Sequence, residues 1–203
     1  MTTIVKDGAI RTTSGLKVAP QSYASIEKFA ESIRPNLPTK KGEPFSLDAL
    51  TMFEKTLPQI GYPYRTAEID EIDDCAAFTI TSPDGNVVVM RIDIYDKLHA
   101  GNPFGRSTVV HEFAHIALAH PVTLHRGAQL VGHKFFEDSE WQAKAATAAL
   151  MMPLEACLIA RSPAQLAGMC GVSVEAATYR IRTLVNKLKS LTPSYPLWEY
   201  GLE

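Results

Sequence analysis

Three cysteines (Cys75, Cys157 and Cys170) in 203 residues are too few and too scattered for a disulfide framework or a paired-thiolate zinc knuckle. Their odd number fits a reducing compartment. No apolar run approaches the roughly 18 residues that a membrane span needs. The opening Met1-Thr-Thr-Ile-Val-Lys-Asp7 lacks the apolar stretch of a secretory signal. Neither charge sign is in surplus: 20 Lys+Arg stand against 22 Asp+Glu, formally −2. That balance predicts neither a strongly basic nucleic-acid surface nor an acidic, disordered tail. What is present is an ordinary globular mixture, 46% hydrophobic and 21% charged, in a chain long enough to bury a core without cross-links. The expectation is a cytoplasmic protein with no membrane contact, of one domain or one domain plus a small appendage.

Residues 1–20 show no periodicity and read as an irregular leader. From Gln21 the pattern is helical, with Ile26, Phe29, Ala30 and Ile33 on one stripe and Pro35 closing it. The Pro38–Pro44 run reads as a linker, and Ser46 as the N-cap of a second helix carrying Leu50, Met52, Phe53 and Leu57. After Gly61 the segments shorten and become β-rich: Tyr62–Ile69, Cys75–Thr81 and Asn86–Ile94. The last two flank an Asp84-Gly85 hairpin signal, and the third reads as the best-buried strand. A helical turn is placed at Tyr95–His99. The remainder is helical, with segments at about Ser107–Ala119, Asp138–Met152, Pro163–Met169 and Val174–Leu191. This order argues for an α+β fold with a small antiparallel or mixed sheet and a helical extension after about residue 153.

Chemistry concentrates in His111-Glu112-Phe113-Ala114-His115. Positions i and i+4 of a helix share a face, so the two histidines can present their imidazoles to one metal ion. Glu112 lands beside that face, placed to act on a metal-bound water without being a ligand. The plain alternative is two buried, hydrogen-bonded histidines with a surface glutamate. The flanks Ser107–Val110 and Ile116–Ala119 make this helix apolar almost all round, so its polar residues need a partner, and a shared metal supplies one. A catalytic zinc takes three protein ligands and keeps one position open. The candidates for the third are His120, His125, His133, Glu137, Asp138 and Glu140. His120, five residues past His115 at the helix end, is expected to point away from the ligating face. Glu140 stands on the first turn of the next helix, a rigid platform able to lie across the first.

These residues carry a resemblance. His111-Glu-Phe-Ala-His115, then Glu140-Trp-Gln-Ala143 and Ala148-Ala-Leu-Met-Met-Pro153, is similar to the ImmA/IrrE family of bacterial metallopeptidases. In that family an HExxH helix precedes a helix of the form E-x-x-A-N-x-F-A-x-x-L-L-M-P. Residues 22–35, Val87–Leu98 and Gly171–Ala177 with Arg180 resemble its remaining segments, so the likeness runs from about residue 22 onward. It implies a zincin-like, gluzincin-type catalytic domain over residues 21–153, with residues 154–203 packed on it. It also implies Zn2+ held by His111, His115 and Glu140, with Glu112 as general base. The implied substrate is a regulatory protein, a helix-turn-helix repressor or antitoxin, whose cleavage switches on a stress response or mobile-element transfer. The chain departs from the family at Lys144, where Asn is usual. Lysine has no acceptor with which to orient a ligating histidine. Either it turns to solvent while another group supports the histidine, or metal affinity falls. Ala146 and Thr147, in place of the family Phe and Ala, change core filling. An oxyanion donor is sought among His125, His133 and the tyrosines.

The C-terminal segments Ser162–Ala167 and Gly171–Leu184 resemble a helix-turn-helix, with Leu166, Val172, Ala177, Ile181 and Leu184 as its core. Were it to read DNA, Thr178, Tyr179, Arg180 and Arg182 would be the exposed readers, reinforced by Lys187 and Lys189. The slightly acidic chain favours the plainer role of a helical pair packed on the catalytic domain. Two further readings therefore stand beside the enzyme: a non-enzymatic regulator that keeps the scaffold and binds a partner protein, and a DNA-binding regulator. Trp141 and Trp198 read as packing anchors, and Cys157 and Cys170 as buried small hydrophobes.

Overall fold

A computed structural model describes residues 3–6, 9–12, 15–72, 74–121 and 133–188. His125, Lys189, Trp198 and the proline-punctuated tail lie outside these. The stretch expected as an irregular leader contains a hairpin, β1 (Thr3–Lys6) antiparallel to β2 (Ala9–Thr12). Ser22 then opens α1 (Tyr23–Ile33) through a reciprocal cap: its hydroxyl accepts from Ser25 N–H at 3.0 Å, and the Ser25 hydroxyl accepts from Ser22 N–H at 2.9 Å. Ile26 and Ala30 are the buried side of this helix.

The expected linker is a second hairpin, β3 (Thr39–Lys40) against β4 (Glu43–Leu47), turning at Gly42 with φ 78°. Only a residue without a Cβ takes that conformation at no steric cost. Ser46 lies inside β4 and caps nothing. Its hydroxyl is engaged by Arg106 at 2.8 Å, and the N-cap is Asp48, which accepts from Thr51 N–H at 3.0 Å. From there α2 (Ala49–Thr51) runs through a π-wound stretch, Met52–Thr56, into α3 (Leu57–Gln59).

The central sheet is mixed, in the order β5-β7-β6. β5 (Tyr64–Ala67) runs parallel to β7 (Gly85–Arg91), with α4 (Ile69–Ile72) in the crossover, and β6 (Ala77–Ser82) runs antiparallel to β7. Ser82 pairs with Gly85, so Pro83 and Asp84 form the turn and Gly85 already belongs to the strand. Val88, Val89 and Met90 of the middle strand are fully buried. Covered on both faces, β7 needs no polar alternation, which is why its sequence alternates imperfectly.

Helix α5 (Ile92–His99) leads to Asn102, whose side chain accepts from Phe104 N–H at 2.9 Å and starts α6 (Pro103–Ala117). α6 begins four residues before the expected Ser107 because Asn102-Pro103 is a cap followed by a first-turn proline. Gly105 lets it cross α5 closely: a Cβ there would stand 2.6 Å from Leu98 N. α7 (Ser139–Met151), capped by Asp138, lies against α6 and α1. Ile26, Ala114, Ala143 and Ala146 pack between these helices, so the small residue at 146 permits their approach.

Beyond Pro153 the chain forms α8 (Leu154–Ile159), which sequence periodicity missed, then α9 (Pro163–Cys170) and α10 (Val174–Leu188). Leu166, Val172, Ala177, Ile181 and Leu184 join the same buried cluster as Phe53, Val88, Val110 and Leu150. The architecture is α+β, and α8–α10 share its main core rather than forming one of their own.

Candidate metal centre

Helix α6 is buried along most of its length, and α7 crosses it with Glu140 in its first turn. His111 Nε2 lies 3.2 Å from His115 Nε2 and 3.3 Å from Glu140 Oε2. His115 Nε2 lies 3.2 Å from Glu140 Oε1. Each ring nitrogen carries one hydrogen or one lone pair, yet each faces two partners, so hydrogen bonds among these groups cannot satisfy all three contacts. A cation can. Donors held about 2.0–2.1 Å from a tetrahedral zinc stand about 3.3 Å apart, which is the spacing found here. Among the described residues this is the His/Cys/Asp/Glu group able to hold a metal ion, its ligand atoms all within 4.8 Å of one another. Burial works to raise the Glu140 carboxyl, but its contacts with the His111 and His115 imidazoles outweigh burial and hold the group far below the ordinary carboxylate range. The ligating form is thus the stable one.

No family model, no curated protein and no solved structure matches this chain. The case for the site therefore rests on its own atoms.

Glu112, the residue after the first histidine, is 6% exposed, and its Oε2 accepts from the Thr79 hydroxyl at 2.8 Å. Thr79 is a buried residue of β6, so the sheet fixes one carboxylate oxygen of this helix. Nothing in the sequence marks Thr79, because the contact joins residues 33 apart across strand and helix.

His120 overturns its expected orientation. Continued helix geometry would carry position i+5 away from His115, but α6 stops in a reversing turn. Ala119 N–H donates to Ile116 O and His120 N–H to His115 O, both at 3.0 Å, the double bond pattern of a Schellman end. Ala119 takes the left-handed conformation, φ 52°, a position glycine usually fills. The turn brings His120 Nδ1 to 3.1 Å from His115 Nδ1. His120 Nε2 meets Gln142 Oε1 at 3.1 Å. Burial pushes the His120 imidazole below its usual pKa, favouring the neutral ring.

The other ligand candidates among the described residues are engaged elsewhere. Asp138 caps α7, accepting from Trp141 N–H at 2.8 Å and Gly15 N–H at 2.9 Å. His133 Nε2 turns to Asp138 Oδ2 at 3.0 Å, in a buried pair, instead of joining the His111–His115–Glu140 group. Glu137 accepts from Lys134 N–H at 2.9 Å and faces Lys17. Lys144 is exposed, one of the two outcomes foreseen for it. Trp141 packs edge-on against Tyr23 and Phe135, as a packing anchor does.

The α9–α10 turn is built differently. Gly171 sits at φ 65° beneath the Arg106 guanidinium, which donates to Gly171 O, to Cys170 O at 3.3 Å and to Leu47 O at 3.0 Å. Arg180, expected as an exposed reader, is 3% exposed: it donates to Met152 O at 3.1 Å and forms a two-pronged pair with Glu27 of α1. Its long stem follows the buried face of α10, and the acidic partner 153 residues away was invisible to local pattern. Tyr179 and Arg182 are exposed, as expected, and Thr178 is half-buried. Cys157 and Cys170 are buried thiols, the latter pushed up to about 12 by burial.

Proposed function

We propose that this chain is a zinc-dependent metallopeptidase of the ImmA/IrrE type, with a zincin-like catalytic domain, acting in the cytoplasm on a regulatory protein. Its substrate is a helix-turn-helix repressor or antitoxin. The observation that carries this reading is the convergence of His111, His115 and Glu140 at metal-ligand spacing, with Glu112 beside them. His111, His115 and Glu140 would hold the ion. Zinc bound there supplies Lewis acidity, bringing the pKa of a water toward about 7 and polarising a carbonyl oxygen.

The remaining work belongs to the protein. Glu112 accepts the proton of the attacking water and returns it to the leaving amine, a shuttle that needs one well-placed carboxylate oxygen. Thr79 engages the other oxygen and so limits rotation of the carboxylate. The buried walls of α6 keep solvent from competing for Glu112. No helix among the described residues is long and apolar enough to cross a membrane. Burial of Arg180 against Glu27 removes a central reader from the DNA-binding alternative.

The test has two parts. Elemental analysis should find one zinc per chain, lost in His115→Ala. Incubation with a helix-turn-helix repressor, chosen from a neighbouring gene where one exists, should yield a single cleavage that Glu112→Gln abolishes while keeping its zinc. Zinc without turnover in the native protein would instead favour the non-enzymatic regulator, and cleavage by Glu112→Gln would reject the assigned base.

A further inference from the structure

Gln142 is 2% exposed, and its amide is fixed by the backbone. The amide nitrogen donates to Ala19 O at 2.8 Å and to Phe136 O at 2.9 Å, which uses both of its hydrogens. Turning the amide over would set its oxygen against two carbonyl oxygens. Oε1 therefore faces His120 Nε2, and as an acceptor it requires a hydrogen on that nitrogen. His120 is buried, and its ring nitrogens meet an amide oxygen and another imidazole, contacts that a neutral ring satisfies in full. A neutral ring with hydrogen on Nε2 carries a lone pair on Nδ1. That lone pair meets His115 Nδ1, which must then carry the hydrogen. His115 Nε2 is left bare, aimed at His111 and Glu140.

We infer that His120 and Gln142 are positioning residues that lock His115 in the metal-accepting tautomer, using two backbone carbonyls as the fixed end of the chain. This inference rests on the metal-centre reading of the His111–His115–Glu140 group. It also explains how the site dispenses with an acceptor at position 144: Lys144 turns outward, and support reaches His115 from the opposite end of α6. The reverse arrangement, hydrogen on His120 Nδ1, would leave two lone pairs facing each other at 3.1 Å between His120 and Gln142, buried from water. The left-handed Ala119 is the backbone device that brings the ring to this place.

Two measurements on the full chain decide it. Long-range 15N–1H NMR of the metal-free protein should show hydrogen on Nδ1 of His115 and on Nε2 of His120. Competition with a zinc chelator should give His120→Phe and Gln142→Met an affinity about 10- to 100-fold below native. Hydrogen on Nε2 of His115 in the native protein, or native zinc affinity in both folded variants, overturns the inference. If His120→Phe does not fold, Gln142→Met and the NMR assignment still decide. A native protein that binds no zinc defeats the metal-centre reading instead, while the tautomer spectrum continues to judge the relay.

Discussion

Helices α6–α7 and α9–α10 both bury charged or polar groups, but they complete them differently. At the α9–α10 turn each buried guanidinium ends on protein: Arg106 on three carbonyls and the Ser46 hydroxyl, Arg180 on Met152 O and the Glu27 carboxylate. Donors meet acceptors within the chain at every nitrogen but Arg106 Nε, which is buried without a partner. At α6–α7 two imidazole nitrogens and a carboxylate, all groups able to offer an electron pair, face one another at 3.2–3.3 Å. The first pattern is that of a structural clamp. The second asks for a cation. Burial of charge is common to both, so it is the sign and valence of the partners that separates support from chemistry.

The comparison can be broken most sharply at the ligands. Glu140→Ala should lower zinc affinity by more than about 100-fold in a chelator competition while leaving the α9–α10 turn intact by circular dichroism. Glu27→Ala is the converse. It leaves Arg180 buried without its counter-charge and should cost about 3 kcal/mol or more in urea unfolding, with zinc stoichiometry unchanged in the folded fraction. Gly171→Ala comes next, at about 2 kcal/mol: a Cβ at φ 65° is strained in itself and would overlap the Arg106 guanidinium. Ala119→Gly should move the other way, stabilising by about 0.5–1 kcal/mol because glycine fits the left-handed turn that alanine now occupies. Tyr179→Ala should shift stability by less than about 0.5 kcal/mol, since its ring is 62% exposed. The same variant and the native protein should both show no salt-sensitive binding to operator DNA in a low-salt gel shift; binding by the native chain would restore a reading role for α10.

What sequence made legible follows from range. His111 and His115 are set by helical repeat alone, and Glu140 by its place in the first turn of the next helix, so local periodicity plus the family likeness reached all three. The strands of the central sheet and the buried middle of β7 were legible from local pattern too. His120 was not: its direction depends on a reversing turn whose left-handed residue is alanine, and alanine signals helix, not helix end. Arg180 read as a DNA contact because its partner lies on α1. The β3–β4 hairpin hid in a run of prolines and lysines that composition assigns to linkers, and Ser46 looked like a cap until Arg106 was seen to hold its hydroxyl. Arg180 and Ser46 were missed because their partners lie in distant segments, and His120 because one left-handed residue redirects the chain; hydrophobic periodicity reports neither.

One further feature changes where the working unit begins. Residues 15–21 run beside residues 136–139: Leu16 O accepts from Ser139 N–H at 3.0 Å, Val18 N–H donates to Glu137 O at 2.8 Å and Gln21 N–H to Phe136 O at 2.9 Å. Gly15 is so close to α7 that a Cβ would stand 2.6 Å from Glu140 N. A boundary drawn at residue 21 would excise the carbonyl of Ala19 that steadies Gln142, and with it the outermost brace of His115. A version trimmed to start at Ser22 would retain every letter of both motifs yet hold its ion loosely, a defect that inspection of the HExxH helix would never reveal.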